Sequence, residues 1–187
     1  MNFTEKNLKK ITVFNSIALL VALILRVSQF EKATTAIHRT EYAICIVALM
    51  FGVFYSVKDY KKKSAHNYTL FMILYFVSSV LTLISECYDM ILNNLFALNI
   101  NLFKIVCCLI ISICICVLAF GLDLGKAKST KLSYSVLIFG IIKIVLDLFS
   151  NDLLTTIIPS ISNLALSLIL FVFVKAKYLD KESRGAK

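Results

Sequence analysis

Lys143 and Asp147 stand four residues apart in a stretch otherwise built of isoleucine, valine, leucine and phenylalanine. On a helix that spacing puts an ammonium and a carboxylate on one face. In apolar surroundings such groups hold a small polar solute, line an ion path, or fasten one helix to the next. Arg26, Glu86, Asp89, Lys104 and the amide of Asn163 occur in comparable settings. Other chemistry is missing from the sequence. There is no HExxH, GxSxG or CxxC motif, and five glycines are too few for a phosphate cradle. Five of the six cysteines, Cys45, Cys107, Cys108, Cys114 and Cys116, fall in apolar runs without a nearby histidine, where a thiol packs as a small apolar group. Cys87 lies closer to a surface and is a candidate only for an intermolecular disulfide. No enzyme activity, metal or cofactor is expected.

The elements that position these residues follow from composition. Of 187 residues, 59% are apolar and 17% charged, with one proline and no tryptophan, and the mean hydropathy is +0.86. Soluble domains carry roughly 45 to 50% apolar and about 25% charged residues, so a single soluble domain is excluded, as are disorder, collagen-like repeats and a disulfide scaffold. The net charge of +9 falls in short basic runs between long apolar stretches rather than along one solvated face, which argues against nucleic-acid binding.

A membrane helix needs about 20 mostly apolar residues to cross roughly 30 Å of hydrocarbon. Six stretches qualify: Ile11 to Phe30, Tyr42 to Val57, Tyr68 to Asp89, Asn101 to Leu122, Leu132 to Phe149 and Thr155 to Val174. The expected fold is therefore all-α, a polytopic membrane protein with six transmembrane helices in one integral domain over residues 1–187. The first span runs too long for the apolar region of a cleavable signal peptide, and Arg26, Ser28, Gln29 and Phe30 offer no cleavage pattern.

Lysines and arginines remain on the cytoplasmic side. Lys6, Lys9 and Lys10 precede the first span, and Lys58, Lys61, Lys62 and Lys63 follow the second. Lys126, Lys128 and Lys131 follow the fourth, and Lys175, Lys177, Lys181, Arg184 and Lys187 make a basic tail over 175–187. With six alternating spans all of these share one side, which predicts both termini cytoplasmic in a plasma membrane of the bacterial inner-membrane type. His38 then faces outward and His66 inward, so no histidine-thiol pair forms between His66 and Cys87. Most of the tyrosines at 42, 60, 68, 88, 134 and 178 mark the two interfaces.

The spans also suggest an internal repeat. Ile11-Thr12-Val13-Phe14, Tyr68-Thr69-Leu70-Phe71 and Tyr134-Ser135-Val136-Leu137 begin the odd spans in phase, and the even spans end in related basic tails. Three tandem hairpins, over about 11–57, 68–122 and 132–174, describe this pattern. Flanking lysines on any membrane helix give a similar match by composition.

Assigned to depth, Arg26, Glu86, Asp89, Lys104, Lys143, Asp147 and Asn163 all fall toward the outer side. The second span, with only Cys45 before Ser56, reads as lipid-facing or purely structural. A charged group at the bilayer centre costs about 2.5 to 3.5 kcal/mol on insertion scales, so these groups require partners or water. In one reading they line an outward-open cavity for a small polar solute. In the other, Lys143 with Asp147, and Arg26 with Glu86 or Asp89, are local ion pairs, or groups near span ends reach back to the interface. Ala18 and Ala22 form a small-xxx-small pair that admits another helix, from a second membrane subunit or a second copy. In size, topology and its Ala18-xxx-Ala22 pair the chain resembles the substrate-capture subunits of energy-coupling-factor vitamin transporters. Three functions are consistent with this sequence. The first is small-solute binding or transport, the second a homo-oligomeric pore or channel, and the third a non-transporting interaction or immunity protein of the membrane.

Overall fold

In a computed structural model, the apolar runs form six helices: α1 Glu5–Phe30, α2 Ala36–Val57, α3 Ala65–Leu92, α4 Asn99–Phe120, α5 Gly125–Leu148 and α6 Leu153–Gly185. The structure describes residues 5–31, 33–57, 65–92, 99–120, 124–149 and 153–185, with side chains over 13–31, 33–55, 70–92, 100–120, 124–149 and 157–175. Lys32, Tyr60 and the basic run Lys58 to Lys63 lie outside them. The fold is all-helical, and five of the helices, all except α5, are long and apolar enough to cross a membrane. The chain is a multi-pass membrane protein.

Each helix begins ahead of its apolar run, and two of the extensions add charged residues that matter below. α2 begins at Ala36, six residues before Tyr42, and so takes in His38, Arg39 and Glu41. α6 continues through the basic tail to Gly185. A hydropathy window stops at the first charged residues, whereas helical hydrogen bonding does not.

Each helix packs on its neighbours in sequence, and α6 closes the ring against α1. The helices run alternately up and down. Contacts link the ends of α1, α3 and α5 to the starts of α2, α4 and α6, as in Arg26 with Glu41 and Lys104 with Asp147. These ends together form what we call the polar end of the bundle. Gly125, at φ +69°, turns the chain into α5 at the opposite, basic end, in a backbone conformation that favours glycine.

α6 is more than a ring member, because it also reaches α2 and α3. Of its span Ile157–Lys175, 72% is buried, against 28% for the spans of α1 and α2 and 39% for those of α3 and α4. Ala165, Leu166, Ile169, Leu170 and the run Phe171 to Val174 are all buried, as expected of a helix apolar on every side. Phe173 packs edge-on against Phe71 and Tyr55. The outer surface is apolar in turn, with Phe14, Ile24, Phe103, Ile113 and Ile138 exposed as lipid requires.

The odd helices face inward along seams of alternating four- and three-residue steps. In α1 the seam is Asn15, Leu19, Ala22, Arg26 and Gln29; in α3 it is Phe71, Tyr75, Ser78, Thr82 and Ser85. In α5 it is Ser129, Ser133, Val136, Gly140, Lys143 and Asp147. The α5 seam is small before it is charged, and α6 lies close against it. A Cβ at Gly140 would stand 3.6 Å from Ser167 Oγ and 3.7 Å from a Leu164 methyl. Small residues let helix backbones approach closely, and that approach brings the polar side chains of α6 within reach of Lys143.

Candidate functional site: a four-ion cluster between helices

Lys143 is 1% exposed and belongs to α5. Its Nζ lies 2.6 Å from Glu86 Oε1 on α3 and 3.3 Å from Asp147 Oδ2 one turn along its own helix. It also donates to Ser160 Oγ on α6 at 3.0 Å. An ammonium has three protons, and these three acceptors saturate it. Asp147 is fully buried and holds a second lysine: Lys104 Nζ of α4 is 3.0 Å from Oδ1. Ser160 Oγ donates to the other carboxylate oxygen. Two cations and two anions from α3, α4 and α5 therefore form one neutral network that α6 joins through Ser160. Glu86 is the most accessible of the four, its side chain 24% exposed.

Asn163 follows Ser160 by three residues on α6, a spacing that keeps the two on neighbouring faces. It is 8% exposed, and among the described residues its Oδ1 receives no hydrogen bond. Its backbone carbonyl accepts from Tyr75 Oη at 3.1 Å, which ties α6 to α3.

Arg26 does not join this network. It is fully buried, and its Nη2 lies 2.6 Å from Glu41 Oε1 of α2. Nη1 donates to Gln29 Oε1 at 3.2 Å, and the guanidinium covers the Tyr42 ring at 4.1 Å. Thr82 of α3 donates to the same Glu41 oxygen at 3.1 Å. Arg26 thus pairs with neither Glu86 nor Asp89, and α2 is not the exception expected from its apolar run, since it supplies the buried carboxylate. Asp89 instead meets His38 Nε2 at 3.2 Å, in a more exposed pair at the rim of the polar end. His38 sits in the first turn of α2, where Thr35 Oγ1 lies 2.8 Å from Nδ1.

Of the nine residues singled out in the sequence, the structure unites Glu86, Lys104, Lys143 and Asp147, and places Asn163 one turn from their serine partner. Arg26 and Asp89 occupy two further sites nearby. Ala22 is fully buried in the core shared with Leu19, Cys45, Ala48 and Leu49. Ala18 is half-buried. This face of α1 therefore packs within its own chain. Glu41, Gln29, Thr82, His38 and Ser160 complete the polar contacts and were not among the nine. Glu41 had a usable signal, because it lies in the second turn of the helix after Arg26, and the short connection between the two helices brings it to the same depth. The six cysteines are free thiols, and among the described residues no group of three histidine, cysteine, aspartate or glutamate side chains could hold a metal.

The chain matches no known protein family, no curated protein and no solved structure.

Proposed function

We propose that this protein binds or transports a small polar solute across a plasma membrane, with both termini cytoplasmic and the four-ion cluster as its solute site near the outer side. The observation that carries this reading is the convergence of Lys104, Lys143, Asp147 and Glu86 from three helices on one buried point. Burying ions costs more than burying apolar groups of the same size, so four of them in one place call for a role beyond packing. The distribution of the basic residues supports the orientation. The charges face the interior of a single bundle rather than its lipid-exposed surface, which favours a site within one chain over a pore lined between protomers.

The test is untargeted mass spectrometry of small molecules that accompany the purified protein, set beside the Lys143→Leu and Asp147→Leu variants. The expected result is a solute retained by the parent protein and lost from both variants while they stay folded. Folded variants that keep every accompanying solute would sink the proposal.

A second reading rests on the mutual neutralisation of the cluster, since every charge in it has an opposite neighbour. Here the charges only specify how helices pack, and the protein serves as an interaction or immunity subunit. Pull-down of one stoichiometric membrane partner, with no bound solute, would favour it.

A further inference from the structure

We infer that the solute taken by this cluster is a small zwitterion, a molecule carrying one carboxylate and one ammonium a few ångströms apart. This rests on the reading of the cluster as a solute site and specifies what that site selects.

The argument is one of charge balance. Lys104 and Lys143 supply two positive charges and Asp147 and Glu86 two negative ones, so the resting cluster is neutral. A singly charged solute would leave a net buried charge in a medium of low dielectric, where an uncompensated ion is strongly unfavourable. A zwitterion leaves the balance unchanged, as an uncharged solute does, but only the zwitterion replaces the carboxylate that Lys143 gives up when Glu86 turns away.

The geometry indicates where each end goes. Asp147 is fully buried and shared by both lysines, whereas Glu86 holds Lys143 alone and is partly open to solvent. Glu86 is thus the member that turns away with least disruption. The solute carboxylate takes its place on Lys143 Nζ, and the solute ammonium pairs with the displaced Glu86 carboxylate. Asn163 Oδ1, one turn deeper on α6 than Ser160, is a buried acceptor lacking a donor among the described residues and stays outside this exchange. Lys143 keeps three acceptors throughout, with Asp147 and Ser160 in place.

The experiment uses the full chain in lipid nanodiscs and follows thermal unfolding with added probes. Glycine, β-alanine and γ-aminobutyrate vary the charge separation, and propionate and propylamine carry a single charge each. A solute that binds the folded state raises the unfolding midpoint in a concentration-dependent way. At least one zwitterion is expected to act at a concentration about tenfold or more below either single-charge probe. Glu86→Gln leaves the cluster with one excess positive charge, so in that variant propionate should overtake the zwitterions. Single-charge probes that match the zwitterions in the parent protein, or an unchanged order in Glu86→Gln, overturn the inference. A singly charged solute found with the purified protein overturns it while the site survives. If no probe binds and nothing accompanies the protein, both the inference and the solute site fall.

Discussion

The bundle holds two buried ionic centres at its polar end, built on different plans. Arg26 and Glu41 form a closed pair: their side chains are 0% and 3% exposed, and Gln29, Tyr42 and Thr82 occupy the surrounding contacts. The Lys143 centre branches, with Asp147 serving two lysines and Lys143 serving two carboxylates. A closed pair has one arrangement and fixes α1 against α2. A branched centre with one partly exposed member has a second arrangement within reach, because a partner can be exchanged without stripping any ion of all its contacts. α3 joins the two plans, since Thr82 serves the first centre and Glu86, one turn on, the second.

This contrast can be broken by substitution. The largest effect is expected from Glu41→Ala, which leaves Arg26 buried and without its counter-ion; loss of one member of a buried pair costs about 3 to 5 kcal/mol. Reversible unfolding in mixed micelles measures it, and the double variant Arg26→Met with Glu41→Leu should regain most of the loss. A Glu41→Ala protein as stable as the parent would mean that the pair is not closed. Next is Gly140→Leu, which forces a large side chain into the α5-α6 contact one turn from Lys143. Overpacking of this kind costs about 1 to 3 kcal/mol, and it should weaken solute retention while leaving the Arg26 centre intact. Gly140→Ala, by contrast, meets only ordinary contact distances and should be close to neutral.

Lys104→Met removes one of two cations from Asp147, which keeps Lys143 and Ser160. A loss of about 1 to 3 kcal/mol is expected, smaller than for Glu41→Ala because a charged hydrogen-bond partner remains. A loss equal to that of Glu41→Ala would erase the distinction between the two centres. The smallest effect belongs to Glu86→Gln: the amide keeps an acceptor on Lys143, and solvent at this partly exposed position offsets much of the excess positive charge, for a loss of about 1 to 2 kcal/mol. Its consequence should be plainer in solute preference than in stability, and an unfolding shift as large as that of Glu41→Ala would place Glu86 with the closed pair.

Much of this was legible in the sequence, for identifiable reasons. Apolar run length locates the helices, because a membrane leaves the backbone few other ways to satisfy its hydrogen bonds. The four-residue step from Lys143 to Asp147 gave their shared face, and the depth of Glu86 and Lys104 gave the level at which they meet. Pairing was not legible, since depth along a helix says nothing of which neighbour it faces. Arg26 therefore had candidate partners on α3, and Glu41 was hidden because hydropathy trims a helix at its first charged residue. The central place of α6 was also hidden, although its apolar residues on every side were a usable sign. The stepped seams of α1, α3 and α5 carry no information on common descent, because any helix with one buried face produces them.

The burial of α6 also bears on how the molecule comes into being. Chains are made from the N-terminus, and this helix emerges only after the four it packs against, α1, α2, α3 and α5. Until it arrives, Tyr75 has no Asn163 carbonyl to bond and Lys143 no serine. Biogenesis thus passes through an open ring of five helices, and the step that seals it is the entry of α6, so translation arrested before Leu153 yields a species exposed to proteolytic surveillance.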